Sequence, residues 1–465
     1  MKGMICNVKL LARLIGILIS VLYASSLCAQ EAVTPERSSA GATSTAVTDP
    51  VSKSSANSTM STAQDGIPIG TKITNDNWQA YKAFMPEGMI ALFQGQYFWK
   101  MPADVQMEIG PAIARPLPKN YAEATEKYAS QVSIVELPSG GLTLQGFKGG
   151  APFPDPQEPH RGWKVLADVW YRYIPHLIVD PYGTSCAQNS MGSINCSADL
   201  FVARQLSFNT DPGIPSTIPG AEGKFYTEWI MTLEPENERY NASVVISYTD
   251  LIKAQDIYAF IPSLRRSQAV ASSARCAQFS GTDFTPDEYR YGFNANLTQM
   301  KVEFNGEKKV LALVDAEFPT AAFPDDYSMP LGWPKPSWGK WQVRDVYVIS
   351  VSKVPSEASG YCYGKRVMYV DKASSATLWL DLYDKDLKYW KFGGFLLKTL
   401  DIPGVGPVTS SGAAVELMYD MQNKHASYFS DPGLDRPLYL NDQAPKEYND
   451  VIRFTTPSGL NQIMR

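Results

Sequence analysis

YGKRVMYVDKASSATLWLDLYDKDLKYWKF, Tyr363 to Phe392, decides the fold. It contains three runs rich in β-branched and aromatic residues: Gly364 to Val370, Ala376 to Tyr383 and Leu387 to Phe392. Two polar segments, Asp371 to Ser375 and Asp384 to Asp386, separate them. Turn chemistry between such runs predicts an antiparallel meander.

Similar signals spread outward from this stretch. Lys224 to Leu233, Arg239 to Ser247, Ile257 to Pro262, Gln342 to Val351 and Gly412 to Met421 have strand composition. Asn305-Gly306 lies between Lys301 to Phe304 and Lys309 to Val314, a strong short-range hairpin signal. Thr74 is placed to cap a helix through Asn77, Trp78, Tyr81 and Phe84. Pro118 precedes a second helix, where Tyr121, Thr125, Tyr128 and Val132 form one stripe. Asp104 to Ile109, Ser133 to Leu137 and Leu142 to Phe147 are short strand candidates, and Trp163 to Asp180 reads as a helix broken at Pro175 before a strand. The expected class is mainly β with some α: one large, curved, predominantly antiparallel sheet, with helices gathered near the N-terminal half.

The N-terminus bears on location. Lys2 and Lys9 precede an apolar run from Leu10 to Tyr23, and Ala24, Ser25 and Ser26 follow. This is the pattern of a secretory signal peptide, with cleavage expected after Ala29. A lipoprotein signal wants a small residue before its cysteine, whereas Leu27 precedes Cys28. Residues 30–66 are rich in Ser, Thr, Ala and Pro and read as a disordered tether. Residues 67–465 read as a single domain. Past the leader four cysteines remain, and an even count in an exported chain favours disulfides. Cys186 and Cys196 flank a short polar loop and are expected to bridge, which stabilises by about 2–3 kcal/mol on loop closure. Cys276 and Cys362 then pair with each other or stay free.

Composition excludes some classes. Net charge is -5, from 42 Lys+Arg against 47 Asp+Glu, so there is no basic footprint for nucleic acid. No metal site is expected, because no cysteines stand at CxxC spacing. There is no GxSxG, HExxH or P-loop, and Gly404-Val405-Gly406-Pro407 lacks the third glycine and helix of a dinucleotide loop. No cofactor is expected, and binding is favoured over catalysis.

The opening stretch resembles the signature of domain of unknown function 1329, a family of exported Gram-negative proteins. Tyr258 to Arg266 (YAFIPSLRR) and Gly150 to Pro156 (GAPFPDP), ahead of Trp163, agree with it. The resemblance runs from about Ile69 to Arg465. It departs after Arg266, where Ser267, Gln268 and Ala269 replace an expected second basic pair. The family is similar in strand pattern to the periplasmic lipoprotein carriers LolA and LolB. The resemblance therefore implies a half-open barrel with helices over an apolar concave face, a lipid or other hydrophobic small molecule as cargo, and an RND-type exporter or outer-membrane protein as partner.

The candidate cavity residues are the alternating apolar positions Val367, Tyr369, Leu378, Leu380, Leu382 and Tyr389. A one-residue slip in register swaps faces, so the inward parity is open at this stage. Arg265 and Arg266 are candidates for an anionic headgroup. The leading expectation is a periplasmic or outer-membrane-associated carrier. A non-catalytic envelope scaffold binding a protein partner and an envelope hydrolase built on scattered carboxylates are the alternatives.

Overall fold

The computed structural model describes residues 66–113, 116–271, 275–278, 281–317, 319–359, 361–409, 413–430 and 438–465. The expected leader and nearly all of the expected tether lie outside them. The described residues fall in one compact unit.

Fourteen strands form one antiparallel sheet. The first meander is β1 (Leu177–Gln188), β2 (Ile194–Gln205), β3 (Lys224–Glu234), β4 (Ala242–Tyr248), β5 (Asp256–Ile261) and β6 (Arg266–Ala269). The second is β7 (Met300–Ala312), β8 (Gln342–Lys353), β9 (Lys365–Asp371), β10 (Thr377–Tyr383), β11 (Tyr389–Leu397), β12 (Ala413–Asp420) and β13 (His425–Ser430). The strand order is β6-β5-β4-β3-β2-β1-β13-β12-β11-β10-β9-β8-β7, and a short β14 (Tyr439–Leu440) also pairs with β1. The meander read from Tyr363 to Phe392 is thus β9 to β11.

The helix α3 (Arg161–Tyr171) shows that this sheet curls. Its first turn meets the edge strand β7: the Arg161 guanidinium lies 4.1 Å from the Phe304 ring. Gly162 permits the approach, since a methyl there would stand 2.9 Å from the Phe304 amide nitrogen. Its last turn meets β3, with Trp170 6.0 Å from Phe225. Those strands are nine spacings apart in the sheet, roughly 43 Å if it were flat. An 11-residue helix is only roughly 16 Å long. The sheet must wrap around the helix, so the face carrying Phe304 is concave.

The convex face is covered too. On the second meander, α1 (Glu87–Gln94) donates its Gly88 amide to Asp381 at 2.9 Å, and Trp333, Trp341 and Trp379 stack with centroids 5.7–6.2 Å apart. On the first meander, Phe454 and Leu460 from the short helices Val451–Thr455 and Pro457–Leu460 cover Trp229, Val244 and Ile246. Coverage on both sides explains why every residue of β10 is buried rather than every second one.

The helix expected after Pro118 forms as α2 (Lys119–Tyr128), while the segment from Trp78 to Phe84 is a 3-10 helix. Asn305-Gly306 does not turn a hairpin. Met300–Ala312 is one strand paired along its length with Gln342–Lys353, and the register shifts between Phe304 and Gly306. Gly306, at φ +109°, spends its freedom on a bulge. The pair's long-range ladder outweighs the local turn preference. Both disulfides are present, Cys186–Cys196 and Cys276–Cys362. Cys186 and Cys196 face each other directly across β1 and β2, so the expected loop is in fact a hairpin. Among the described residues no helix is long and apolar enough to cross a membrane.

Candidate functional site

Cross-strand partners share a face of a sheet, which places the candidates. Phe304, Ile349, Met368 and Leu380 form one row on the concave face, and Arg366 pairs with Leu382 beside it. Val348, Tyr369 and Trp379 form a row on the convex face, and Val367 pairs with Asp381. The six residues Val367, Tyr369, Leu378, Leu380, Leu382 and Tyr389 are therefore divided. Leu380 and Leu382 face inward, while Leu378 falls at the register shift between Thr377 and Trp379. Val367, Tyr369 and Tyr389 face outward, where the two tyrosine hydroxyls donate to Asp381 at 2.9 and 2.6 Å. All six are buried in the core, and none lines the cavity bounded by Ile178, Phe201 and Arg290. Arg265 and Arg266 are exposed at the entry to the edge strand β6 and do not line that cavity either.

The open space lies farther round the concave face. It measures about 70 Å³ on the scale used for internal cavities, and about 800 Å³ when all the space out to its open mouth is counted. Three rows build its walls. Ile178, Ala203, Glu228 and Val245 run across β1, β2, β3 and β4. Phe201, Ile230 and Ser243 run beside them, and Glu416, Phe429 and Ser185 cross the seam from β12 through β13 to β1. Thr282, Phe284 and Arg290, from the segment between the meanders, complete the lining. The cavity therefore has an apolar body of Ile178, Phe201, Ile230, Val245, Phe284 and Phe429, with a charged cluster at Arg290, Glu228 and Glu416.

Buried ion pairs hold that segment. Arg366 donates to Glu288 at 2.7 Å and to the Gly292 carbonyl at 2.9 Å. Arg275 donates to Asp287 at 2.5 Å, next to the Cys276–Cys362 bridge. Arg290 and Arg172 meet at the end of α3. The Arg290 Nη2 donates to the Trp170 carbonyl at 3.0 Å, and the Arg172 Nη2 donates to the Arg290 carbonyl at 2.8 Å. The Arg172 Nη1 also donates to the Val169 carbonyl at 2.9 Å, so both cations satisfy the negative end of the helix dipole. Arg290 holds this position with a left-handed backbone, φ 57°, an uncommon conformation for a long side chain.

The carboxyls are shifted in the opposite sense to a surface acid. Burial pushes Glu228 up to about 7, although Arg290 and Arg275 pull it down and the Asn294 amide donates to it at 2.9 Å. Burial pushes Glu416 up to about 8, with Arg172 opposing and Glu228 and Glu288 adding repulsion. Glu416 is half-buried and lines the cavity. Near neutral pH both acids can donate as well as accept hydrogen bonds.

Neither carboxylate was singled out from the sequence. Each carried a signal there: Glu228 interrupts the apolar run FYTEWIMTL, and Glu416 interrupts AVELMY. An acid inside a strand buried on both faces is a candidate by that fact alone. Arg290 comes from an irregular segment and carried no such signal.

A search of curated proteins finds no match. Among solved structures, a DUF1329 family protein from Desulfovibrio piger aligns at 13% identity with TM-score 0.43, over 62% of this chain and 95% of that one. A LolA superfamily protein from Nitrosomonas europaea aligns at 11% identity with TM-score 0.37, over 64% of this chain and 98% of that one. The family model described as "Protein of unknown function (DUF1329)" matches residues 72–460. Matched over most of its length, the chain belongs to the DUF1329 family.

Proposed function

We propose that this protein binds a lipid or another hydrophobic small molecule in the concave-face cavity and carries it within the bacterial envelope. One observation carries the reading. A sheet packed on both faces leaves a recess with an apolar body, about 800 Å³ with its open mouth counted, bordered by a buried guanidinium. Interiors are otherwise close-packed, so an apolar recess that stays open beside convergent polar groups is a ligand-site candidate. Burying an acyl chain there is worth about 0.8 kcal/mol per methylene. Two disulfides support an oxidising compartment, as does the basic, apolar and small-residue order of the first 29 positions. An RND-type exporter or an outer-membrane protein is the partner this reading names.

The test is native mass spectrometry of protein purified from its own periplasm, followed by organic extraction. A discrete lipid-sized adduct is expected. A clean apo mass that persists after incubation with envelope lipids would overturn the carrier reading in favour of a scaffold.

A further inference from the structure

Resting on that binding reading, we infer that the cargo is an amphiphile with an anionic headgroup, a carboxylate or a phosphate monoester, seated at Arg290. The argument begins with hydrogen-bond accounting. Arg290 is 5% exposed and borders the cavity. Its Nη2 is used by the Trp170 carbonyl, but its buried Nε and Nη1 have no hydrogen-bond partner. Rings pack around the guanidinium, with Trp170 and Tyr226 both 4.4 Å from it. These rings favour the cation, but they accept no strong hydrogen bond from it. An unpaired donor on a buried charge is costly, and a ligand oxygen would relieve it.

Charge accounting points the same way. The pairs Arg366–Glu288 and Arg275–Asp287 are each neutral. Arg172 and Arg290 then face Glu228 and Glu416, and these acids titrate at about 7 and about 8. Near neutral pH the acids cancel less than the two guanidiniums supply. The remainder close to Arg290 is positive, offset in part by the helix end. A neutral headgroup could accept from the two donors but would leave the surplus unmet. A cationic headgroup would add to the surplus. The apolar body opposite Arg290 suits the chain of such an amphiphile.

The test uses the folded protein and four dodecyl probes: dodecanoate, dodecyl phosphate, dodecyl maltoside and dodecyltrimethylammonium. Calorimetry near pH 7 should show the two anionic probes binding about tenfold to a hundredfold more tightly than the maltoside. The trimethylammonium probe should bind weakest. The ratio between the two anionic probes says whether a carboxylate or a phosphate is the better fit, and either supports the inference. Arg290→Gln should remove the preference while the maltoside still binds. Should that variant fail to fold, the wild-type series decides alone. Equal affinity for maltoside and anionic probes would overturn the headgroup assignment and leave the cavity reading standing. Binding of no probe at all would instead sink the cavity reading itself.

Discussion

Glu416→Gln should make the protein less sensitive to alkaline pH, and the size of the effect follows from the cavity. Burial raises the Glu416 acid from 4.5 to about 8. Between those values the native state holds a proton that the unfolded chain has released, so stability falls as pH rises through the window. Each unit of difference corresponds to about 1.4 kcal/mol. Integrated from about pH 5 to about pH 8, the loss assigned to Glu416 is about 3 kcal/mol. Glutamine keeps the shape and carries no titrating proton, so the variant should escape that loss. Urea unfolding followed by tryptophan fluorescence measures it directly at the two pH values. The wild type should keep a second loss of the same sign from Glu228, raised to about 7, and so should the variant. If the stability gap between Glu416→Gln and wild type is the same at both pH values, the buried-acid reasoning is wrong.

Three other outcomes follow. Ile230→Trp should fill the cavity body and lower ligand uptake in the mass-spectrometric assay; unchanged uptake would mean that the ligand sits elsewhere. Gly88→Ala would place a methyl 2.3 Å from the Phe392 ring and the Tyr389 hydroxyl, so it should destabilise by about 1–3 kcal/mol in denaturant titration. Replacing both Cys276 and Cys362 by Ser should cost about 4–5 kcal/mol, against about 3 kcal/mol for the Cys186 and Cys196 pair, because their sequence separations are 86 and 10. Unfolding midpoints of the two double variants, compared with wild type, test that order.

Strand composition and turn residues made most of the sheet legible. The three runs of Tyr363 to Phe392 emerged as β9, β10 and β11 because their turns use Asp, Lys and Ser at the expected places. Asn305-Gly306 misled for the opposite reason: a local turn signal says nothing of a partner strand some 40 residues downstream, and Gln342–Lys353 claimed the whole segment. The short C-terminal helices escaped notice because four or five residues hold too little periodicity to read. Parity could not be recovered for the meander either. With both faces buried, β10 lacks the alternation that separates Leu380 from Trp379, so cavity candidates were drawn from both sides. The cavity itself comes from strands at opposite ends of the chain, and no local pattern announces their meeting.

The seam where β13 meets β1 has a temporal meaning as well as a spatial one. Ser430 pairs with Thr184, 246 residues earlier. Each meander can grow hairpin by hairpin from contacts close in sequence, but the seam must close one very long loop. Since Glu416 and Phe429 stand on one side of that seam and Ile178 and Glu228 on the other, neither half owns the cavity. The chamber comes into existence only when the two zip together. A ligand captured there would act as a clasp on the assembled sheet, and its free energy of binding would oppose the parting of the halves.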